Sequence, residues 1–220
     1  MPTRRLLLGH RGARATGSVP ENSLASFDLA LQHGCDGFEF DVRLTSDGRT
    51  VICHDARVGG VEVARAMRSE LSQLAVLPDV LARYGQRAFL DIELKVPGLD
   101  EIVLAALKEN PPSDYVISSF LPQVLTSLHA HDASLSLGFI CDREAYFSSW
   151  HTLPVEYVIP HFKLVSKNSI EDVQAAGKKV FVWTVNDKER MLRLAEWGAD
   201  GVISDDTELL VKTLSATEKD

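Results

Sequence analysis

The chain has 220 residues, of which 45% are hydrophobic and 25% charged, a composition typical of a soluble globular protein. Its 31 acidic and 23 basic residues leave a formal net charge of −8, and the resulting field repels DNA and anionic membrane surfaces. Nucleic acid and a stable membrane association are therefore not expected. A small phosphate ester remains a suitable ligand where a metal ion and a few cationic side chains reverse the local potential.

The cysteines Cys35, Cys53 and Cys141 are widely spaced and form no CxxC pair for zinc or redox chemistry. We expect them to be buried apolar residues in a reducing compartment. The apolar run at residues 6–8 is too short for the hydrophobic region of a signal peptide, and no stretch approaches the roughly 20 apolar residues that span a bilayer. These features predict a cytoplasmic protein.

Short apolar runs alternate with amphipathic segments along the chain, and the runs have the length and composition of buried strands. The predicted strands are residues 6–9, 37–42, 50–53, 88–94, 115–118, 135–140, 157–159, 180–185 and 201–204. The predicted helices are residues 23–33, 79–84, 99–109, 122–131, 142–150, 169–176, 187–197 and 207–215. Gly34 and Gly177 stand where helices end, and Asp187 stands where one begins.

About eight strand–helix units of this length predict a (β/α)₈ TIM barrel in which residues 1–220 form a single domain. The segment 55–72 breaks the alternation and is interpreted as a short, irregular insertion after the second strand, lying over one face. No GxGxxG or GxxxxGK[ST] follows any strand, which disfavours a nucleotide-binding fold.

Acidic residues cluster on two of the predicted strands. In the strand at 37–42, alternation turns Glu39 and Asp41 to the face opposite the phenylalanines, which in a barrel is the interior. In the strand at 88–94, the same alternation turns Asp91 and Glu93 inward, followed by Lys95.

Carboxylates crowded into a barrel would repel one another unless a cation compensated their charge. An all-oxygen set suits a hard divalent cation, Mg²⁺ or Ca²⁺. The alternative is an internal salt-bridge network with Lys95 and Arg43. We favour a metal bound by Glu39, Asp41 and Glu93, because these acids lie near the strand ends where barrel enzymes carry their active sites.

Two histidines occupy equivalent positions at strand ends. His10 follows the first strand, and His54 follows the strand at 50–53. Most histidines are packing or surface residues, and we interpret the other five in this way. If His10 and His54 open onto the same mouth as the acids, they supply an acid/base pair whose ordinary pKa lies near neutral pH.

These motifs together resemble the glycerophosphodiester phosphodiesterase family. The resemblance covers nearly the whole chain in order: GHRG at residues 9–12, PENS at 20–23, GFEFDV at 37–42, DG at 47–48, HD at 54–55, IELK at 92–95, VWTVN at 182–186 and GVISD at 201–205. Ser23 stands where the family often has threonine, and the hydroxyl is kept. The insertion after His54 is short and lacks a common Asp-Arg pattern, which predicts a pocket rim that is cut back.

The resemblance implies roles for the matching residues, with His10 and His54 as the catalytic acid/base pair. It also implies that Glu39, Asp41 and Glu93 bind the metal, with Glu21 nearby. It implies that Arg11 and Lys95 hold the phosphate and that Trp183 lines the alcohol pocket, although a tryptophan in a strand is more often a core residue.

The expected activity is metal-dependent hydrolysis of a small glycerophosphodiester to glycerol 3-phosphate and an alcohol. The attacking group is water or a neighbouring hydroxyl of the substrate, and either histidine can be the acid or the base. One alternative is a phospholipid-directed enzyme on the same barrel, such as a lysophospholipase D or a phosphoinositide-cleaving phospholipase C. Another is a catalytically silent barrel that only binds a metal or a phosphoester.

Overall fold

The strands form a closed parallel barrel in the computed structural model, which describes residues 4–17 and 19–215. The strands are β1 (Leu6–His10), β2 (Gly37–Leu44), β3 (Thr50–Ile52), β4 (Arg57–Val58), β5 (Val61–Glu62), β6 (Phe89–Leu94), β7 (Tyr115–Ser119), β8 (Leu137–Cys141), β9 (Tyr157–Pro160), β10 (Lys179–Val182) and β11 (Gly201–Ser204). Eight of them follow the order β1-β2-β6-β7-β8-β9-β10-β11, and β11 pairs back with β1. The predicted (β/α)₈ barrel is therefore confirmed.

Helices connect the barrel strands. Within the described residues they are α1 (Leu24–Gln32), α2 (Leu77–Tyr84), α3 (Asp100–Glu109), α4 (Pro122–His131), α5 (Glu144–Phe147), α6 (Lys167–Ala175), α7 (Lys188–Glu196) and α8 (Thr207–Leu214). The helix α2 begins two residues before its predicted start, since the first turn of a helix accepts the proline there. The helix predicted at 142–150 is instead the short α5 followed by a 3₁₀ turn, Ser148–His151.

Helix ends agree with the residues that predicted them. Ser23 and Asp187 are N-caps whose side chains accept hydrogen bonds from the amides of Ser26 and Arg190, at 3.2 Å and 2.8 Å. Gly34 follows the end of α1 with a φ of 99°, a conformation that favours glycine.

The strand β3 and the insertion after it form a small addition to the barrel. β3 runs antiparallel to the end of β2, and β4 and β5 form a hairpin. The insertion was expected to be irregular, but it also contains two 3₁₀ turns and has a core of its own, made of Val51, Cys53, Val63, Ala66 and Leu71. This small core, to which β3 and the insertion both contribute, packs the insertion against the end of the sheet.

The barrel interior is apolar toward the amino ends of the strands. Phe89, Tyr157 and Phe181 contact one another there, with ring centroids between 4.9 and 6.1 Å apart. These rings pack with Leu8 and Ile203 in one buried cluster. The polar side chains of the barrel interior therefore lie nearer the carboxyl ends of the strands.

The outward face of β2 is held by an aromatic cluster. Phe38 is fully buried and stacks on Phe27 of α1 with ring centroids 4.2 Å apart, and it meets the edge of Tyr84 of α2 at 5.0 Å. The next residues along β2 on the opposite face are Glu39 and Asp41. The packing of α1 and α2 on β2 therefore fixes the position of the two acids.

Replacing Phe38 with alanine is expected to lower the free energy of unfolding by about 3–5 kcal/mol, because the substitution leaves a cavity in a fully packed cluster. Urea denaturation measures this change. The control Phe38→Leu keeps most of the volume and is expected to cost less. Equal losses in the two variants would contradict a cavity as the cause.

Two further expectations concern the cysteines and the membrane. Cys35, Cys53 and Cys141 are all buried and unpaired, as expected of apolar core residues. Among the described residues, no helix has the length and apolar character needed to span a bilayer.

Candidate active site

A cavity of about 70 Å³ opens at the carboxyl ends of the barrel strands. It is lined by His10, Arg11, Glu39, His54, Asp91, Glu93, Lys95, Phe120, Ile140, Ile159, Trp183 and Ile203. Seven of the nine predicted site residues are in this lining. The other two, Asp41 and Glu21, contact residues that line it: Asp41 Oδ1 lies 3.2 Å from Lys95 Nζ, and Glu21 accepts a hydrogen bond of 2.8 Å from Arg11.

The register of two adjacent strands brings four acids together. On β2 and β6, Glu39 lies level with Asp91, and Asp41 lies level with Glu93. All four are buried, with at most 7% of each residue exposed. Ligand atoms of Glu39, Asp41 and Glu93 lie within 4.8 Å of one another, which is close enough to share one cation.

Two cationic side chains face these four carboxylates. Lys95 Nζ lies 2.6 Å from Glu93 and 3.2 Å from Asp41, and Arg11 Nε lies 3.3 Å from Asp41. A salt-bridge network therefore exists, as the alternative interpretation expected, but Arg43 is not part of it and donates instead to the backbone oxygen of His54 at 2.8 Å. The network offsets only half of the carboxylate charge.

Burial, and after it the repulsion between neighbouring carboxylates, shifts the pKa values of these acids. Burial, followed by Asp41 and Glu93, raises the pKa of Glu39 well above its ordinary value. Burial and Asp41 raise the pKa of Glu93 to about 8, and burial raises that of Asp91 to about 7. The pKa of Asp41 is lowered, because Lys95 and other partners together outweigh its burial.

Some carboxylate oxygens in this group lack a hydrogen-bond donor. Glu39 Oε1 and Asp91 Oδ2 are buried and accept no hydrogen bond. Buried carboxylate oxygens without donors are costly, and a cation removes that cost. Together with the excess of negative charge and the all-oxygen donor set, they fit a hard divalent cation.

Asn22 orients one of the acids, a contact that sequence reasoning missed. Its amide nitrogen donates to Asp41 Oδ2 at 2.7 Å, and its amide oxygen accepts from the Asp41 backbone at 3.2 Å. Asn22 has a φ of 55°, a left-handed conformation that asparagine tolerates better than most residues. The sequence signal that could have indicated this role is the position of Asn22 in the PENS motif.

His10 is held by a second group that the sequence analysis did not assign. Its Nδ1 lies 2.7 Å from Asp205 Oδ1, while its Nε2 lies 3.8 Å from Glu39. Asn186 donates to the other oxygen of Asp205 at 2.7 Å. Hydrogen bonds from His10 and Asn186 and the nearby charge of Arg14 outweigh burial and lower the pKa of Asp205 to about 2, so this group stays a carboxylate at neutral pH.

His54 faces the same cavity from the end of β3 and is more exposed. Its Nδ1 lies 2.8 Å from the carboxylate of Asp55, whose side chain is 77% exposed. Burial lowers the pKa of His54 even though Asp55 acts in the opposite direction. Both predicted histidines therefore carry a carboxylate at Nδ1, but only the one on His10 is shielded from solvent.

The turn after β1 places Arg11. This residue has a φ of 53°, and its backbone amide donates to Glu39 Oε2 at 3.0 Å. The next residue, Gly12, has a φ of 80°, and a Cβ there would lie 2.5 Å from the hydroxyl of Ser26. Glu21 forms one ion pair with Arg11 and another with Arg14. Its link to the acid group is therefore indirect and runs through Arg11.

Trp183 lines the cavity rather than the core. Its Nε1 donates to the backbone oxygen of Ile159 at 2.9 Å, which fixes the plane of the indole. Its ring meets Phe120 edge-on at 5.5 Å and His161 at 5.2 Å. Phe120, which the sequence analysis did not single out, thus forms one wall of the site.

Comparison with known proteins identifies the family of this chain. The model of the glycerophosphoryl diester phosphodiesterase family matches residues 10–103 and 75–209. A glycerophosphodiester phosphodiesterase of Caldanaerobacter subterraneus subsp. tengcongensis is 30% identical, over 94% of this chain and 96% of its own length. One from Bacillus subtilis is 25% identical, over 96% of this chain and 87% of its own length.

Solved structures of similar proteins share the fold. A phosphodiesterase of Oleispira antarctica, solved in complex with the product sn-glycerol-3-phosphate, is 28% identical with a TM-score of 0.85, covering 96% of this chain and 97% of its own. A glycerophosphodiester phosphodiesterase of Thermotoga maritima is also 28% identical, with a TM-score of 0.82, covering 95% and 98%. With the family model spanning most of the sequence, this chain belongs to the glycerophosphoryl diester phosphodiesterase family.

Proposed function

We propose that this chain hydrolyses glycerophosphodiesters to glycerol 3-phosphate and an alcohol with the help of a divalent cation. The observation that carries the proposal is the convergence of Glu39, Asp41 and Glu93 at the edge of the cavity that His10 lines. The product complex of the Oleispira antarctica relative supports the same substrate class.

We assign the stabilisation of phosphoryl charge to the acid group and to the two cationic side chains beside it. Glu39, Asp41 and Glu93 would hold the cation, and the chemistry it supplies when bound is to withdraw charge from phosphoryl oxygens. Arg11 and Lys95 provide the remaining positive charge, and both already lie against the acid group. With a cation bound to the acids, the two side chains would be available to bind the anionic diester.

Proton transfer is assigned to the two histidines. His10 has one ring nitrogen bonded to Asp205 and the other turned toward the cavity, the arrangement that lets an imidazole exchange a proton with a bound group. His54 reaches the same cavity from another strand end. One histidine removes the proton of the attacking water or substrate hydroxyl, and the other protonates the departing alcohol.

Other properties of the chain agree with this proposal. A net charge of −8 favours a small diester over nucleic acid or an anionic membrane as the partner. A cytoplasmic location is part of the proposal, supported by three unpaired cysteines.

The experiment is a panel of glycerophosphodiesters assayed with Mg²⁺, Ca²⁺ and a chelator, with release of glycerol 3-phosphate as the readout. Turnover that requires a divalent cation is the expected result. Lysophosphatidylcholine in the same panel, with choline release as its readout, distinguishes a phospholipid-directed enzyme. No release from any diester at excess of either cation would favour a silent barrel and overturn the proposal.

A further inference from the structure

A second, larger cavity of about 370 Å³ adjoins the candidate active site. It lies beyond the ends of β7 and β8, and its lining includes Asp142, Arg143 and Tyr146. Phe120 and Ile140 line both cavities, so these two side chains form the wall between them. Arg11 and Lys95, the groups assigned to the phosphate, line only the smaller cavity, and Lys95 Nζ lies 5.6 Å from the centre of the Phe120 ring.

We propose that this second cavity, the β8 pocket, receives the alcohol half of the diester and favours an alcohol that carries an ammonium group. The inference rests on the proposed function. A diester anchored by its phosphate extends two arms from the phosphorus atom. The smaller cavity takes the glycerol arm, and the β8 pocket is the adjoining space with room for the alcohol arm, with Trp183 at the boundary where its ring meets Phe120.

The chemistry of the β8 pocket favours a cation. Phe120 and Tyr146 offer aromatic rings, and the negative face of such a ring attracts ammonium groups. Tyr146 is 57% exposed, so its ring is available to a ligand. The carboxylate of Asp142 stands at the same rim with its side chain 51% exposed.

Arg143 is the opposing charge in this pocket. Its Nε lies 3.9 Å from Asp142, and its side chain is 72% exposed. Such an exposed pair is weak, so Asp142 remains able to attract a second cation. The two residues should therefore act with opposite signs on the same substrate, and this gives the inference a sharp test.

The test compares glycerophosphocholine with its uncharged isostere, in which a 3,3-dimethylbutyl group replaces choline. The wild-type chain is expected to have the higher kcat/KM for the choline ester. Asp142→Asn and Tyr146→Ala should each lower the ratio of the two kcat/KM values by about twofold to fivefold, the range of cation–π and ion-pair energies at exposed sites. Arg143→Gln should raise the ratio.

Tyr146→Phe keeps the ring and should keep the ratio near that of the wild type. Leu192→Ala, which removes another exposed apolar side chain on α7, is the control for unspecific surface effects. Equal losses on both esters, or a ratio that rises in Asp142→Asn, would overturn the inference. If the wild type cleaves neither these nor any other glycerophosphodiester, the proposed function fails instead, so the two failures are distinguishable.

Discussion

Replacing His10 with alanine is expected to lower kcat by about 10²–10⁴, the usual contribution of a positioned proton-transfer group. The imidazole is buried, with Nδ1 bonded to Asp205 and Nε2 turned toward the cavity. Among the described residues, His54 is the one other histidine that lines this cavity, and it lies at the end of a different strand. Initial rates of glycerol 3-phosphate release at saturating substrate measure the effect.

The control for His10→Ala is His33→Ala, which removes an imidazole bonded to Thr207 Oγ1 and absent from the cavity lining. This variant is expected to keep the wild-type kcat. If His10→Ala also keeps it, His10 has no part in proton transfer. A parallel loss in both variants would point to a folding defect rather than to catalysis.

Asp205 offers a second test of the same assignment. Because its carboxylate contacts His10 and not the cavity, it should act as a positioning residue through the imidazole. Asp205→Asn should lower kcat while leaving KM nearly unchanged. In the double variant with His10→Ala, the loss should be no greater than that of His10→Ala alone. Additive losses would show that Asp205 acts independently of the histidine.

Most of the barrel could be predicted because its signals are local. Strands such as β2 and β6 alternate apolar and acidic residues, and the period of two assigns each side chain to a face. The predicted strand at 180–185 ends earlier, at Val182, because Trp183 makes only an isolated bridge to His161. Such boundaries depend on pairing partners, which the local pattern does not contain.

The site residues that could be predicted are likewise those with a local sequence signal. The acids on β2 and β6 follow from alternation, and His10 follows from its place at a strand end. Asn22 and Asp205 could not be assigned roles, because their contacts join segments 19 and 195 residues apart in the chain. Asp205 nevertheless follows the last strand as His10 follows the first, and a search of all strand ends for polar residues would have found it.

Phe120 and the β8 pocket were beyond sequence reasoning for a different reason. An aromatic residue after a strand is most often part of the core, and only the packing of β7 and β8 shows that this ring divides two cavities. The shape of a pocket depends on the relative placement of elements rather than on the residues of any one of them.

Replacing Glu39 with glutamine is expected to remove metal binding and to lower kcat/KM by about 10³ or more, since a bound cation contributes several kcal/mol of charge stabilisation. Glu39 belongs to the acid group whose ligand atoms lie within 4.8 Å, and its buried Oε1 accepts no hydrogen bond. Thermal unfolding with and without Mg²⁺ or Ca²⁺ gives a readout independent of activity. At about 100 times Kd the wild type should gain about 2.7 kcal/mol, and the variant should gain almost nothing.

Without metal, Glu39→Gln is expected to have the opposite effect on thermal stability. Four buried carboxylates face two cations, and burial together with Asp41 and Glu93 already makes the charged form of Glu39 unfavourable. Without metal, Glu39→Gln should therefore unfold at the same temperature as the wild type or at a higher one. The control Glu109→Gln, at an exposed position on α3, should change neither value. An unaltered cation-induced shift in Glu39→Gln would mean that the cation binds elsewhere or not at all, and the charge-stabilising role of this acid group would then be wrong.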